Sequence, residues 1–197
     1  MLPIETNRLI LRDFETDEFP VFYETTNDPE YRNYYSEHEM TRALWKQILE
    51  RILSSAREPN WTKYQIDIWM QTGELIGTCG VRIEGTEHQQ ASFGCALPRA
   101  YWGKGFGYEA SKRIISFGFS SLPIHRIYAE TISENVRTRA LAELLGMRLE
   151  GELMHHKFFK SRWWETVIYA ILRDEWNHNT IYNWTGLMVF KPVAQVS

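Results

Sequence analysis

The stretch LPRAYWGKGFGYEA, residues 97–110, decides how this chain is read. The residues before it, ASFGCAL, have the extended, mixed pattern of a strand, and Pro98 ends that strand. Gly103, Gly105 and Gly107 then follow at every second position, and a helical pattern opens near Gly107. Alternating glycines let successive backbone N–H groups point into one concavity with no side chains in the way. The helix start adds its own unpaired N–H groups and the positive end of its dipole. The result is an anion cradle, and phosphate is the usual anion.

Upstream of this stretch the pattern is that of a three-stranded meander. KYQIDIWM alternates Tyr64, Ile66, Ile68 and Met70 against Lys63, Gln65, Asp67 and Trp69, which predicts a half-buried strand. Thr72-Gly73 turns it into ELIGTCGVRIE, and residues 85–89 turn that into the strand before the glycines. Further upstream, ETNRLILRD reads as a first strand. Thr16 caps a helix carrying Asp17 and Glu18 in its first turn, and Asn27-Asp28-Pro29 stops it. Ser36 and Glu39 have capping-box spacing, Thr41 is an equal candidate cap, and Leu44, Ile48 and Ile52 recur at helical spacing; residues 57–60 are a loop.

Downstream, Ala110, Ile114 and Phe117 mark one helix face. HRIYAETI is the next strand. SENVRTRALAELLGM is a helix expected to turn Ala140, Leu141, Leu144 and Leu145 inward and to stop at Gly146. RLEGELMHHKFF and WWETVIYAILRD form a hairpin around Lys160-Ser161-Arg162. The expected fold class is therefore α/β (α+β), one domain over residues 1–176 with a mixed, mostly antiparallel sheet and helices on both faces. Residues 177–197 are aromatic and apolar enough (Tyr182, Trp184, Leu187, Val189, Phe190) to be expected to cover a patch on this domain or on a second subunit of a homodimer.

Composition narrows the function classes. A chain of 197 residues with eight Trp can bury one sizeable core. A net charge of −3 argues against a nucleic-acid or membrane-surface partner, which would select a basic face. There is no basic-flanked apolar leader and no apolar run near 18 residues, so a soluble, cytoplasmic protein is expected. Cys79 and Cys95 sit in strand patterns and read as small buried hydrophobes. His155 and His156 are adjacent on a strand and so face opposite ways, which is poor metal geometry; no metal is expected.

Other phosphate loops fit poorly. A P-loop needs Lys followed by Ser or Thr, but Lys104 is followed by Gly105. A dinucleotide fingerprint needs a third glycine three residues after the second and a first parallel strand, whereas the residue three after Gly105 is Tyr108, followed by Glu109, and the preceding strand belongs to a meander. A purely structural turn explains one or two glycines, not a strand, three alternating glycines and a helix start together.

At this point the chain resembles the GNAT N-acetyltransferase superfamily, and within it the ribosomal-protein N-terminal acetyltransferase group. The resemblance runs from residue 5 to about residue 176 and rests on ordered motifs: ETNRLILRDF, ELIGTCGV, ASFGCALPRAYWGKGFGYEA, ISENVRTRALAELLGM and WWETVIYAILRDEW. The family's pyrophosphate motif falls on Trp102, Gly103, Lys104, Gly105, Phe106 and Gly107, with Trp102 in place of the usual polar first residue. The resemblance implies acetyl-coenzyme A as co-substrate, held by Ala96, Leu97, the loop from Trp102 to Tyr108, Asn135 and Arg139. Its pantetheine would pair with the strand ending at Leu97, at a splayed central strand pair. Gly94 on that strand suits close approach, or a bulge. The implied reaction is direct attack of a primary amine on the thioester. Many members place a general-base Glu where this chain has Ser92, and a general-acid Tyr where it has Ala142. Ser92, Asn135 and Thr138 are the candidate catalytic residues. Glu84, Glu87 or His88 are alternative bases and Ser133 a further donor, with hairpin ends and helix capping as their structural readings. Asn135 as a helix-start residue, Arg137 and Arg139 as solvated helix charges, and Glu109 as a first-turn dipole partner are the corresponding alternatives.

A magnitude bears on the acceptor. Deprotonating an α-amine of pKa about 7.7–8.0 at pH 7 costs about 1–1.4 kcal/mol, whereas a lysine-type amine costs about 4.6 kcal/mol. A site without a strong base therefore favours an α-amine. Tyr31, Tyr34, Tyr35 and Trp61 lie in or near segments that flank the acceptor cleft by family analogy, with core or surface packing as the equal alternative reading. The alternative function is a non-catalytic acyl-coenzyme A-binding module with a degenerate active site.

Overall fold

A computed structural model describes residues 3–55, 63–84 and 86–176. It forms one eight-stranded sheet in the order β1-β2-β3-β4-β5-β6-β8-β7. The strands are β1 (Ile4–Glu5), β2 (Leu9–Arg12), β3 (Lys63–Met70), β4 (Leu75–Ile83), β5 (Gln90–Ala96), β6 (Arg126–Ile132), β7 (Arg148–Phe159) and β8 (Arg162–Leu172). Every neighbouring pair is antiparallel except β5–β6.

The helices are α1 (Phe19–Thr26), α2 (Pro29–Arg32), α3 (Arg42–Ser55), α4 (Phe106–Ser121) and α5 (Val136–Leu144). Helix α4 lies over β4 and β6: a Cβ on Gly118 would sit 3.3 Å from Ile127 Cδ1 and 3.7 Å from Val81 Cγ2. That contact joins Ile114 and Ile115 to Ile66, Cys79, Val81 and Ile127 in the main core. Helices α1 and α3 share a smaller cluster built on Phe14, Leu49 and Ile52. Because strand side chains alternate, Thr78, Gly80 and Arg82 of β4 point away from α4.

Several expectations needed correction. The N-cap of the first helical turn is Glu15, not Thr16: Glu15 and Glu18 form the capping box of a 3-10 turn (Thr16–Glu18) that precedes α1. Asp28 ends the first helix as expected and at once starts α2, its carboxylate accepting from the N–H groups of Glu30 and Tyr31. Both candidate caps after residue 35 are used. Ser36 and Glu39 cap the 3-10 turn His38–Met40, and Thr41 Oγ1 accepts from Leu44 N ahead of α3. In α5, Ala142 and Leu145 are buried while Ala140 and Leu144 are exposed, so the inward face is rotated from the one the spacing suggested. Asp67 of β3 is fully buried rather than in water, with the Glu18 carboxylate near enough to act on it. Residues 57–60, Trp61 and residues 177–197 lie outside the described residues.

Candidate active site

The parallel pair β5–β6 holds together for only three residues, Gln90–Ser92 against Arg126–Tyr128. Beyond it, Phe93 to Ala96 keep β4 on one side, while β6 continues beside β8 alone. A slit opens there, with the β5 backbone groups of Phe93 to Ala96 along one wall. Gly94 is exposed on that wall, and a Cβ added to it would meet nothing within 4 Å. Gly77 does the opposite: a Cβ there would lie 2.4 Å from Ala96 O and 2.6 Å from Leu97 Cδ2. Only glycine lets β4 approach the end of β5 this closely.

The slit leads into the glycine loop. Trp102 closes the loop's base by donating from Nε1 to Leu97 O at 2.7 Å, so the indole at the family motif's first position is spent on the backbone. Gly103 and Gly105 have φ of +71° and +80°, left-handed values that side chains rarely adopt, and Gly105 is the N-cap of α4. The unpaired N–H groups of the first turn of α4 follow directly. Helix α4 starts at Phe106, one residue before the sequence pattern suggested.

Arg8 holds this loop from outside. Its guanidinium lies 4.4 Å over the Phe106 ring and donates to Lys104 O at 2.9 Å and to Glu109 Oε2 at 2.6 Å. The Arg8 N–H and Thr6 Oγ1 both donate to Glu109 Oε1. Burial works to raise the Glu109 carboxyl, but the hydrogen bonds from Thr6 and Arg8 outweigh it and hold it below its usual value. Glu109 therefore serves the helix dipole and also ties the β1–β2 hairpin to the cradle. Sequence reading missed Arg8 and Thr6, because their partner is about a hundred residues away and nothing local signals the contact.

Across the mouth of the slit stands the start of α5. The Arg137 guanidinium stacks 4.5 Å over Trp102 and pairs with Glu30 of α2, which Arg99 also approaches at 3.6 Å. Asn135 Oδ1 accepts from Thr138 N at 3.2 Å, so Asn135 caps α5. Arg139 turns inward, donating to Tyr169 Oη at 3.3 Å and Ser133 O at 3.0 Å. Of the two arginines considered for phosphates, Arg137 stands beside the loop and Arg139 is engaged elsewhere. Lys104 is exposed near the Tyr101 ring, and Tyr108 packs against the core.

The two faces of β5 differ. Cys95 points toward α4, where burial pushes its thiol up to about 11, partly offset by Ser111. Its cross-strand neighbour Cys79 is likewise raised by burial, and both thiols are free. Ser92, Gly94 and Ala96 face the opposite side. Tyr31 and Tyr35 stack at 4.9 Å, and the Tyr31 hydroxyl is raised by burial first, by Tyr35 next and least by Cys95. Lys160 in the β7–β8 turn donates to Arg32 O and Asn33 O, holding the end of α2 in place, while Tyr34 packs with Ile132, Phe159 and Trp164. Trp61 is not among the described residues. His155 stacks on Trp163 in a bulge of β7, and His156 Nδ1 lies 2.7 Å from Thr166 Oγ1. Among the described residues, no group of three or more His, Cys, Asp or Glu side chains could hold a metal ion.

A glycine loop whose backbone amides open a helix, at the end of a splayed strand pair, is suited to a phosphate-bearing ligand. The acetyltransferase (GNAT) domain family matches residues 8–148. The uncharacterized N-acetyltransferase p20 of Bacillus licheniformis is 31% identical over 177 residues, 89% of this chain and 99% of that protein. The putative ribosomal N-acetyltransferase YdaF of Bacillus subtilis is 23% identical over 60% of this chain and 68% of its own. A GNAT acetyltransferase structure from Bacillus anthracis superposes with TM-score 0.74 at 25% identity, covering 87% of this chain and 98% of that one. Spermidine N-acetyltransferase from Vibrio cholerae, solved with CoA and spermine, superposes with TM-score 0.75 at 20% identity, over 87% of this chain and 99% of that one. The chain belongs to the GNAT acetyltransferase family and is an N-acetyltransferase. Among the described residues no helix is long and apolar enough to cross a membrane.

The residues present fit the coenzyme: an open backbone edge, glycines where a Cβ would intrude, and amides at a helix start. Gly105→Val should fold but weaken acetyl-coenzyme A at least tenfold, about 1.4 kcal/mol, because its Cβ faces Arg8 Nη2 at 3.3 Å and its φ is left-handed. Calorimetric titration checks this; unchanged affinity would remove the loop from the site.

Proposed function

We propose that this chain moves the acetyl group of acetyl-coenzyme A to an α-amine, that of a protein or peptide N-terminus or of a small molecule, in the cytoplasm. The observation that carries the reading is the slit along Phe93 to Ala96 running into the glycine loop at Gly103 to Gly107. In this reading the slit backbone binds pantetheine, the amides from Gly103 to Tyr108 bind pyrophosphate, Arg137 adds a cation, and Asn135 lies beside the pantetheine.

Two observations favour an α-amine over a polyamine. Ser92 leaves the strand without a carboxylate of its own, which suits the amine that is cheaper to deprotonate. Four carboxylates on α2, β6 and the ends of β4 and β6 are also matched by cations among the described residues. Glu30 pairs with Arg137 and Arg99, Glu84 with Arg82, Glu130 with Lys157 and Glu134 with Arg162. A polycation would have to displace those partners, whereas a single α-ammonium followed by a neutral chain would not. The segment 177–197 is proposed to pack on this domain or on a partner subunit, continuing from Trp176, which lies 6.2 Å from the Phe119 ring.

The test is thiol release from acetyl-coenzyme A with N-terminal peptides, free amino acids, polyamines and aminoglycosides. The expected result is a kcat/KM for the best peptide or amino acid at least tenfold above that for spermidine. Cofactor binding with no amine raising thiol release above the acceptor-free rate would support the non-catalytic module instead.

A further inference from the structure

Ser92 is the last residue of β5 that pairs with β6, and so it stands at the inner end of the slit. It lies five strand residues from Leu97, about 16 Å at 3.3 Å per residue, the reach of a pantetheine arm extended along the wall. Its hydroxyl is not idle. Ser92 Oγ donates to Glu84 Oε1 at 2.8 Å. The same oxygen accepts from Arg82 Nε at 2.7 Å, and Arg82 Nη2 lies 2.6 Å away. Arg82 is the register partner of Ser92, so the three side chains share one face, the face turned away from α4. The backbone of Glu84 is fixed by its N–H donating to Gln90 O at 3.0 Å. From β6, Tyr128 is the residue in register with Ser92, and Arg126 lies over the Tyr128 ring at 5.1 Å.

We propose that the Glu84 carboxylate, acting through the Ser92 hydroxyl, accepts the proton that the amine loses during acetyl transfer, with Arg82 as the residue that positions it. This rests on the N-acetyltransferase reading above. As the amine nitrogen bonds to the thioester carbonyl carbon, the carbonyl π pair moves to oxygen and the nitrogen becomes positively charged. A proton then passes from nitrogen to Ser92 Oγ while Ser92 passes its own to Glu84 Oε1. The oxyanion pair returns to re-form the carbonyl, the C–S bond breaks, and the thiolate leaves with the C–S bonding pair and takes a proton from solvent. Glu84 releases its proton to solvent, which restores the site.

Chemistry favours this division of labour. A serine hydroxyl can take a proton only if it gives one away, and its hydrogen bond already points at a carboxylate. The amine cation formed by attack is far more acidic than a free ammonium, so a carboxylate paired with Arg82 suffices as the sink. Among the described residues, the charged and titratable groups recorded around Glu84 include Arg82 at the end of β4 and, from β6, Tyr128 with Arg126 over its ring. Tyr128 is raised by burial first and by Glu84 next, so it remains protonated and does not compete for the proton.

The test uses the full chain with acetyl-coenzyme A and the best peptide of the acceptor panel. Glu84→Gln and Ser92→Ala should each lower kcat about 100-fold or more, with acetyl-coenzyme A affinity by calorimetry unchanged within twofold. The double variant should be no slower than the worse single one, because the two act as a unit. The acidic limb of the wild-type kcat/KM profile should vanish in Glu84→Gln. Adding Ser92→Glu to Glu84→Gln should recover at least tenfold, since it supplies a carboxylate at the reacting position. Independently of activity, carbon-13 NMR of the Glu84 carboxyl should show its pKa rising in Ser92→Ala, where the charged form loses a hydrogen bond. The proposal is overturned if the wild type acetylates the peptide and both single variants, folded by circular dichroism, keep kcat within threefold, or if their losses multiply. A wild type that binds coenzyme but acetylates nothing would instead overturn the reading on which it rests.

Discussion

Gly77→Ala should cost about 3 kcal/mol of stability and most of the affinity for acetyl-coenzyme A. The added Cβ would sit 2.4 Å from Ala96 O and 3.2 Å from Leu97 Cα, both backbone atoms, and 2.6 Å from Leu97 Cδ2. A side-chain tip could swing aside, but the backbone of β5 can move only by breaking its register with β4. Gly77 also holds φ +152°, beside the register shift between Ile68 and Trp69 of β3. The strain therefore falls on the residues that form the outer end of the slit. Urea unfolding gives the stability and calorimetry the affinity. Gly94→Ala is the control, since its Cβ meets nothing, and it should unfold within about 1 kcal/mol of the wild type. Equal stability of Gly77→Ala and wild type would mean that β4 and β5 are not held this close.

Asp67→Asn should make the protein more stable, and increasingly so as the pH rises. Asp67 is fully buried, and Arg12 is the cation shared by Glu15, Glu18 and, across the β2–β3 register, Asp67. Burial raises the Asp67 carboxyl most, the neighbouring Glu18 carboxylate raises it further, and Arg12 offsets only part, so it stays protonated in the native state well above the usual carboxylate range. In the unfolded chain the same group ionises near pH 4, at about 3.9. Folding therefore takes up a proton. The contribution of Asp67 is fully present below that unfolded value and is lost progressively as the pH rises toward the raised native value. Asparagine is neutral throughout and can donate to Glu18, so the variant escapes this loss. The gain over wild type should grow by up to about 1.4 kcal/mol per pH unit above pH 5. Urea melts at pH 5, 7 and 9 measure it, and a constant difference across the three would mean that Asp67 is ionised in the native protein.

What the sequence made legible was what local chemistry specifies. The β3–β4–β5 meander follows from period-two alternation and its turn residues, and Gly146 stops α5 with a φ of +78°. The cradle follows from alternating glycines between a strand and a helix. What it hid was set by distant partners. Alternation assigned Asp67 to a wet face because nothing near it in the sequence announces the Glu18 carboxylate. Helical spacing placed Ala140 and Leu144 inward, yet Tyr169 of β8, bonded to Arg139 and Glu143, fixes a different rotation of α5. The two-residue turn Lys160-Ser161 adopts φ of +51° and +59° without the glycine or asparagine that usually signals it, and the hairpin was legible only from its strands. The ties from Arg8 to Glu109 and from Ser92 to Glu84 join residues that no pattern relates. The second needs the β4–β5 register before it can be seen.

The most direct test of the whole account is a titration of the nitrogen-15-labelled protein with acetyl-coenzyme A, followed amide by amide. Saturable shifts concentrated on Phe93 to Leu97 and on Gly103 to Tyr108, with smaller ones at Asn135 and Ser92, are the predicted result. No saturation at millimolar coenzyme, or shifts centred away from the slit and the glycine loop, would contradict it.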